Sequence, residues 1–532
     1  MKKKITTNIR ENVSISGETK SLAVIDIGSS AIRMNIAQVN SAGEINTLET
    51  LQREISLGKD AFSKGMIKKS STEACVKVLK IFRRKLQEYQ ITSDQQIRII
   101  ATTAVREASN RDSFVDRIFI ATGFNIQVID EVDVARLTYR SVEYYLSSHK
   151  IQQNQKFLVT EMSGGTTEIL LMKNQDILLS QSYRLGALRL REMLGEFRAP
   201  LPRQRELIEN DTDRTIDQIL GDVKNNPPHT LIAIGGDIRF AASQIQPEWN
   251  YSDPIKITLS ALSKLTEQII NMSVDEIVHK FHLSYSDAET VGPALLFYFK
   301  LGHALKVNHV LVTDISMRSG VLMELAFGGT WTKKFADQII NSALELGRKF
   351  NFDEAHARHV EFLSITLFNS LKEEHNLPPS YELHLRIAAL LHDIGTFINI
   401  RSHHKHSMYI IQNSELFGLS KRDLHLIALI ARYHRRSGPK PEHVEFSTLD
   451  RDSRLAVLKM ASILRVADAL DRSNSRRIQQ LICTRDDDEF TITIPGVDDI
   501  TLEQLGIQSK GALFENVYGM RIILRKKAQL LE

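Results

Sequence analysis

The sequence has few cysteines and little net charge. Its 532 residues include two cysteines, Cys75 and Cys483, which lie far apart in different sequence contexts. Neither a disulfide framework nor a zinc ribbon is therefore indicated, and a reducing cytoplasm is the expected location. A net charge of +4 is small for this length. It argues against a strongly basic chain that binds DNA, although a local basic channel is compatible with it.

Long apolar runs are also missing. No run approaches the roughly 18 apolar residues of a membrane span, and the basic start Met1-Lys-Lys-Lys4 is not followed by the apolar segment of a signal peptide. We therefore predict neither a membrane span nor secretion. The sequence does have 42% apolar and 25% charged residues, which is typical of a globular protein, and it is long enough for three or four domains.

The stretch over residues 157–171 reads as a strand, a tight turn and a returning strand. Small residues form the turn, and their backbone N–H groups can point at a phosphate oxygen: Ser163, Gly164, Gly165 and Thr166. Glu161 and Glu168 flank the turn. A carboxylate there can hold a divalent ion or orient an attacking water. The alternative is a glycine hairpin with solvated carboxylates.

A second copy of this pattern lies near the N-terminus. An apolar strand ends in Asp26, passes a turn of Gly28, Ser29 and Ser30, and resumes as apolar residues. A third strand, over residues 231–234, leads into the glycine pair Gly235 and Gly236. Such internal similarity suggests a duplicated unit, with the loops of the two halves forming a phosphate-binding cleft.

The first 325 residues contain a series of motifs in a fixed order: Asp26-Ile-Gly-Ser-Ser30, Ala101-Thr-Thr-Ala-Val-Arg106, Ala135-Arg136, Gly164-Gly-Thr-Thr-Glu168, Leu185-Gly-Ala-Leu-Arg189 and Ile234-Gly-Gly236. Together they resemble the exopolyphosphatase / guanosine pentaphosphate phosphohydrolase (Ppx/GppA) family. The resemblance implies a two-lobed α/β fold of the actin/sugar-kinase-like (ribonuclease H-like) class. It also implies hydrolysis of terminal phosphate from polyphosphate or pppGpp with Mg²⁺ in the N-terminal cleft, and a homodimer.

The resemblance also assigns roles to individual residues. It implies that Asp26, Glu161 and Glu168 surround magnesium, that the glycine loops hold the phosphates, and that Arg53 faces phosphate. Val134 stands where the family has its catalytic glutamate, and a valine cannot accept a proton from water. Asp133 or Glu131 is therefore a candidate replacement base.

Four further positions differ from the family pattern: Glu161 replaces aspartate, Ser163 glycine, Ser30 asparagine and Asp237 threonine. Glutamate for aspartate keeps the charge but moves it by one methylene, and a displacement of about 1 Å can cost roughly 100-fold in rate. Asp237 adds a negative charge facing an anionic substrate.

After residues 328–330, which read as a helix stop and a domain junction, the pattern is helical. His356 begins one apolar-periodic helix, the doublet His392-Asp393 ends another, and Asp468 lies on a third. This set resembles the ligands of the HD superfamily of metal-dependent phosphohydrolases. Imidazole and carboxylate together suit Mn²⁺, Fe²⁺, Ni²⁺ or Zn²⁺.

Each member of this helical set also has a structural explanation. A histidine on a helix is usually a satisfied core or surface residue, and Asp468 could pair with Arg465 or Arg472. His404 and His434 are candidates for additional contacts, either to a second ion or to a polyanion; their segments could also be solvated loops.

These observations divide the chain into a polar tail (1–20), two Ppx/GppA lobes (21–140 and 141–328), a helical HD-type domain (335–477) and a small α+β subdomain (478–532). Three functions compete. The first is a phosphoanhydride hydrolase acting in the N-terminal cleft on polyphosphate or guanosine penta- or tetraphosphate. The second is a phosphohydrolase centred in the helical domain with the cleft as a polyphosphate or nucleotide sensor, and the third is a regulatory protein with neither centre active. The sequence favours the first.

Overall fold

The structure is a computed structural model that describes residues 19–40, 45–148, 155–173, 176–197, 201–251, 253–327, 333–414, 416–435, 437–486 and 488–526. The chain divides into two compact units, unit 1 (Met1–Gly328) and unit 2 (Gly329–Glu532). The division falls at the glycine pair that the sequence suggests as a junction, although residues 328–330 themselves lie outside the described part, as does most of the predicted polar tail.

Unit 1 begins with a first lobe whose elements are β1 (Lys20–Ile27), β2 (Ala31–Val39), β3 (Ile45–Glu54), α1 (Leu57–Lys64), α2 (Lys69–Glu88), a 3-10 turn (Asp94–Gln96), β4 (Ile97–Ala101), α3 (Thr103–Glu107), α4 (Arg111–Thr122), β5 (Gln127–Val128) and α5 (Glu131–Ser148). The sheet has the order β3-β2-β1-β4-β5. Its first three strands are antiparallel, and β4 and β5 continue it in parallel.

The second lobe contains β6 (Lys156–Met162), β7 (Thr167–Lys173), β8 (Asp176–Tyr183), α6 (Ala187–Phe197), α7 (Leu201–Val223), β9 (Thr230–Ile234), α8 (Gly236–Ile245), β10 (Ile255–Thr258), α9 (Leu259–Ile270), α10 (Val274–Phe281), α11 (Tyr285–Ala304), β11 (His309–Val312) and α12 (Met317–Phe327). Read as β8-β7-β6-β9-β11, its sheet repeats the order and directions of the first, with β10 added antiparallel at the edge.

This repetition explains where the glycine loops lie. The loop between β1 and β2 is the structural equivalent of the loop between β6 and β7, because both connect the central strand of a sheet to its antiparallel neighbour. The central strands are buried along most of their length, as expected for strands covered on both faces. The two lobes therefore present the same kind of loop at corresponding ends of their sheets.

Unit 2 is helical and ends in a small sheet. Its elements are α13 (Lys333–Lys349), α14 (Glu354–Ser370), α15 (Lys372–His375), α16 (Ser380–Leu391), a 3-10 turn (Ile394–Phe397), α17 (His403–Gln412), α18 (Lys421–Arg432), α19 (Val444–Ser447), α20 (Arg451–Leu470), β12 (Ile482–Asp486), β13 (Glu489–Ile494), α21 (Thr501–Lys510), α22 (Ala512–Tyr518) and β14 (Arg521–Lys526). Helices α14, α16, α18 and α20 pack on one another, and α21 and α22 pack on α20.

The terminal sheet has the order β12-β13-β14. The acidic segment at residues 486–489 connects β12 to β13, so a strand precedes it that the sequence pattern does not reveal. The reason is that β12 is a mostly exposed edge strand without an alternating apolar face.

Candidate functional site

The first glycine loop is fixed by backbone hydrogen bonds to the segment that leads into α1. Ser29 accepts a bond from the Gly58 amide (2.7 Å), and Ser30 accepts one from the Ile55 amide (2.9 Å). Ser29 is buried. The loop that follows Asp26 is therefore held on both sides and leaves little freedom to its backbone.

The second loop is closed by Ser163. Its amide donates to the carbonyl of Thr166 (2.8 Å), and its hydroxyl accepts from the Thr166 amide (3.2 Å). Arg189 stabilises the loop. Its Nε donates to the Gly165 carbonyl (2.9 Å), and its guanidinium forms an ion pair with Glu107 (2.7 Å). Ser163 thus closes the turn through both its backbone and its hydroxyl.

The two loops meet in the middle of unit 1. A Cβ atom placed on Gly164 would lie 3.1 Å from the Cβ of Ser29. One on Gly186 would lie 2.4 Å from the carbonyl carbon of Gly165, closer than real Cβ atoms come. The hydroxyls of Thr103 and Thr166 lie 3.5 Å apart across the same contact. These residues are small because the backbones approach each other closely.

The third loop begins α8. Gly235 has a φ of +119°, which favours glycine, and it precedes the first residue of the helix. Tyr298 ties this loop to the second one, since its hydroxyl donates to the Ile234 carbonyl (2.8 Å) and accepts from the Met162 amide (2.9 Å). Gly236 has open space around it. The three loops predicted from the sequence therefore lie in one region.

Acidic and basic side chains surround this region. Arg318 Nη1 donates to Asp26 Oδ2 (3.0 Å), whereas the buried Oδ1 of Asp26 has no hydrogen-bond partner. Burial raises the pKa of Glu161, and the nearby Arg239 and Arg318 oppose that rise. Arg33, near Gly28, also opposes the rise in the pKa of Glu161. No local sequence pattern singles out these three arginines, although Arg239 lies three residues after Gly236 in the third loop.

Glu168 lies at the beginning of β7, opposite Glu161 in the strand pairing. The hydroxyl of Ser182 donates to its Oε1 (2.8 Å). Burial raises the pKa of Glu168 to about 7, and the hydrogen bonds from Ser182 and Thr166 limit that rise. A carboxyl group with this pKa can exchange a proton near neutral pH, as a general base or acid must.

Unit 2 contains a separate cluster of histidines and aspartates. Two groups of three have ligand atoms within 4.8 Å of one another: His356, His392 and Asp393 form one, and Asp393, His403 and His434 form the other. These residues come from α14, the end of α16, the start of α17 and the end of α18. The predicted His356, His392, Asp393 and His434 are thus brought together.

The structure places two predicted members differently. Asp468 forms an ion pair with Lys510 and belongs to neither group of three, and Asp471, one turn further on, accepts from His356 Nδ1 (2.7 Å). His403, rather than its neighbour His404, is in the second group. The ring of His404 lies perpendicular to that of His403, with 6.0 Å between the centroids.

Most of the chain matches models of one protein family. Residues 35–327 match the Ppx/GppA phosphatase family, and residues 340–504 match Ppx/GppA phosphatase, domain III. The chain belongs to the Ppx/GppA phosphatase family. The predicted two-lobed fold and the predicted phosphohydrolase class are therefore confirmed. Ppx/GppA phosphatases generally use a divalent metal ion.

Individual Ppx/GppA relatives cover most of the chain. The guanosine-5'-triphosphate,3'-diphosphate pyrophosphatase of Photobacterium profundum is 24% identical over 83% of this chain and 86% of its own. That of Pseudoalteromonas translucida is 25% identical over 90% of each. Among solved structures, an exopolyphosphatase from Cytophaga hutchinsonii is similar in fold, with a TM-score of 0.53 and 21% identity, over 59% of this chain and 100% of the other.

The structure shows what surrounds Val134, the position at which the resemblance predicts a catalytic glutamate. Val134 packs against the apolar cluster that includes Met317 and Leu322 of α12. Its neighbour Asp133 is already paired with Arg136 (3.0 Å), which also bonds Glu324. Asp133 is therefore engaged in an ion pair beside a packed interface.

Two other candidates in the Ppx/GppA portion can also be located. Arg53 is exposed on β3, where it donates to the carbonyl of Gln52 (3.2 Å). Asp237 accepts from the Thr290 hydroxyl (3.3 Å), and burial raises its pKa to about 6. Asp237 thus carries less negative charge near neutral pH than an exposed aspartate would.

No helix in the described part of the chain is long and apolar enough to cross a membrane.

Proposed function

We propose that unit 1 hydrolyses the terminal phosphoanhydride bond of inorganic polyphosphate or of guanosine pentaphosphate. The observation that carries this proposal is the direct contact between the loops at Ser29 and Gly164, with Asp26 and Glu161 beside them. Backbone amides of such loops suit phosphate oxygens. One relative is named a pyrophosphatase and a solved structure is named an exopolyphosphatase. Both names support a phosphoanhydride substrate.

The residues present fit a magnesium ion in this cleft. Asp26 Oδ1 is buried without a hydrogen-bond partner, and Glu161 lies close enough to Asp26 for each charge to affect the other. Carboxylate oxygens are the ligands that Mg²⁺ prefers. When bound, Mg²⁺ would neutralise charge on the phosphates and lower the barrier to attack by water.

The protein's own groups account for the remaining steps. The loops orient the terminal phosphate, and Arg239 and Arg318 offset its negative charge. Glu168, with a pKa near 7, accepts a proton from the attacking water when it is ionised. This assigns to Glu168 the role that Val134 cannot perform and that Asp133, held by Arg136, is poorly placed to perform.

The test is phosphate release from long-chain polyphosphate and from pppGpp with Mg²⁺. We expect Glu168→Gln to lower release by roughly 100- to 10,000-fold, the usual contribution of a general base. The control Glu248→Gln changes an exposed glutamate of the same lobe and should retain wild-type activity. Normal release by Glu168→Gln would contradict the assignment.

A second candidate function rests on the cluster in unit 2. We propose that His356, His392 and Asp393 hold a divalent ion such as Mn²⁺, Fe²⁺, Ni²⁺ or Zn²⁺, as in HD-type phosphohydrolases. The test uses the same release assay on Asp393→Asn. Loss of release in this variant, together with normal release by Glu168→Gln, would move the chemistry to unit 2.

We also propose that the protein works as a homodimer in a reducing cytoplasm, with no DNA partner. The resemblance to long Ppx/GppA chains supports the dimer, and the unpaired thiols of Cys75 and Cys483 are compatible with a reducing compartment. Light scattering after size-exclusion chromatography tests the assembly, and a monomeric mass would contradict it.

A further inference from the structure

Three large apolar side chains are exposed in one loop of unit 2, between the 3-10 turn that follows α16 and the start of α17. Phe397 is 59% exposed, Ile398 52% and Ile400 74%. Ile400 is the most exposed large apolar side chain in the described part of the chain. Single exposed residues of this kind are normal, whereas adjacent ones mark a surface that meets a protein or a membrane.

The backbone of this loop is fixed by hydrogen bonds. The amide of Arg401 donates to Asn399 Oδ1 (2.7 Å), which closes a tight turn around Ile400. The carbonyl oxygen of Ile400 lies 3.0 Å from Nδ1 of the buried His403, so the loop is tied to the start of α17. An ordered backbone therefore holds the apolar side chains in solvent.

Three cations lie around the loop. Arg401 ends it, and Lys405 is exposed in the first turn of α17. Lys349 ends α13 and precedes Phe350, whose ring meets that of Phe397 edge to face with 5.4 Å between the centroids. Within the described part of the chain none of the three cations has an ion-pair partner. Their charge is therefore available to an external anion.

The sequence on both sides of the loop strengthens this charge pattern. Residues 394–414 include no aspartate and no glutamate. Tyr409 is exposed four residues after Lys405, on the same face of α17, and tyrosine is a residue that lies at the level of lipid headgroups. Apolar side chains flanked by cations are complementary to an anionic lipid surface, which attracts the cations and accepts the apolar groups below its headgroups.

A second copy of the chain fits this surface less well. In a two-fold interface the same patch meets itself. Arg401 and Lys405 would then approach the same cations of the other copy, and residues 394–414 supply no acid to separate them. Lipid headgroups supply the missing anions, so the charges favour a bilayer.

We propose that the loop at residues 397–401 docks the protein on the surface of an anionic bilayer. Ile398 and Ile400 enter the headgroup region, and Arg401 and Lys405 contact the anionic headgroups. An insertion of this size gives reversible binding, because stable anchoring requires two strong signals. The docking is independent of phosphate release, since it uses none of the residues assigned to that reaction.

The experiment is co-sedimentation of the full chain with lipid vesicles in the presence of a chelator. One vesicle is an equimolar mixture of phosphatidylcholine and phosphatidylglycerol, and the other is phosphatidylcholine alone. We expect the wild type to bind the anionic vesicles and to lose this binding as the salt concentration rises. Arg401→Gln combined with Lys405→Gln should weaken binding by roughly 25-fold, about fivefold for each charge.

The apolar part of the proposal has its own variant and control. Ile398→Ser combined with Ile400→Ser should weaken binding by at least about tenfold. The control is Ile120→Ser, which removes an exposed isoleucine of α4 beside the ion pair of Arg117 with Glu73 (2.8 Å) and should bind like the wild type. No binding by the wild type, or equal binding by the wild type and the double serine variant, would overturn the proposal.

Two further measurements keep the proposal testable if the serine variants do not fold. The emission of Ile400→Trp, after subtraction of the wild-type signal, should shift to shorter wavelength with anionic vesicles and stay unchanged with phosphatidylcholine. Unchanged emission with both vesicles would overturn the proposal. Light scattering of the folded variants gives the other outcome: a dimer that becomes a monomer in the double serine variant would show that a second copy covers the loop, and would overturn the bilayer assignment.

Discussion

The unit 1 cleft and the unit 2 cluster contain different sets of donor groups. The cleft combines carboxylates with arginines and backbone amides, as at Asp26 and Arg318. The cluster combines four imidazoles with the carboxylate of Asp393, which belongs to both groups of three. Oxygen donors suit Mg²⁺, whereas imidazole suits transition metals. If both proposed centres act on phosphate, they can be separated by changing the metal, the pH or a single backbone position.

The largest expected effect separates the two regions by backbone geometry. Gly186→Ala would place a Cβ 2.4 Å from the Gly165 carbonyl carbon, so the second loop must move. A displacement of about 1 Å in such a loop can cost roughly 100-fold in rate. We therefore expect phosphate release to fall by at least about 100-fold, while manganese binding by unit 2 stays at the wild-type level.

Gly221→Ala is the control for this change. Gly221 lies in α7, with nothing within 4 Å of the added Cβ, so activity should be preserved. Retained activity in Gly186→Ala would show that the second loop does not hold the substrate.

The pH profile should separate the regions next. Since the pKa of Glu168 is about 7, release should fall about tenfold between pH 8 and pH 6 as this carboxylate is protonated. The measurement is kcat over this range with saturating Mg²⁺. A midpoint of the kcat profile below pH 5 would mean that another group is the base. So would the same fall of residual activity between pH 8 and pH 6 in Glu168→Gln.

The same group links pH to stability. The folded protein binds the Glu168 proton more tightly than the unfolded chain, whose carboxyl keeps its usual pKa near 4.5. This contribution to stability is therefore present below about pH 4.5 and is lost as the pH rises through about 7. Glu168→Gln removes the effect, so its Tm relative to wild type should increase between pH 5 and pH 8. An unchanged difference would contradict the raised pKa.

Metal selectivity gives a smaller, thermal distinction. A ligand at 100 times its Kd stabilises by about 2.7 kcal/mol, and a domain of this size gains roughly 2–4 °C per kcal/mol. Mn²⁺ or Zn²⁺ should therefore raise the Tm of unit 2 in the chelated protein by about 5–10 °C. Mg²⁺ should support phosphate release but shift that transition little. Equal shifts with Mg²⁺ and Mn²⁺ would remove the distinction between the centres.

The glycine loops and the charged groups around them differ in how far apart their residues lie in the sequence. The contacts that close a glycine loop join residues close in sequence, as Ser163 and Thr166 do. Such loops can therefore be predicted from a short sequence pattern. The pair of Arg318 with Asp26 joins residues 292 positions apart, and no local pattern announces it. The fold was predictable because a repeated strand-loop-strand pattern needs only neighbouring residues, whereas the charge arrangement depends on how the lobes close.

In the helical unit the sequence indicates the ligand types but does not decide between neighbouring residues of the same type. Successive residues on a helix point about 100° apart, so choosing between His403 and His404 requires the helix rotation. Asp468 and Asp471 are one turn apart on or just after α20, and only packing decides which one contacts His356. Lys510 lies 42 positions after Asp468, and its pairing with that aspartate is invisible to spacing.

That lysine supplies the smallest expected effect. Lys510 pairs with Asp468, whose charge lies close enough to His434 to affect it. Lys510→Met leaves the aspartate without its cation, which destabilises the metal-free protein because the group is buried. A bound metal ion then supplies the missing positive charge, so the affinity for Mn²⁺ should rise by about three- to tenfold. The exposed Lys421→Met is the control, and titration of the chelated protein is the measurement. Unchanged affinity would mean that Asp468 has no part in the centre, and weaker binding would mean that Lys510 helps to build it.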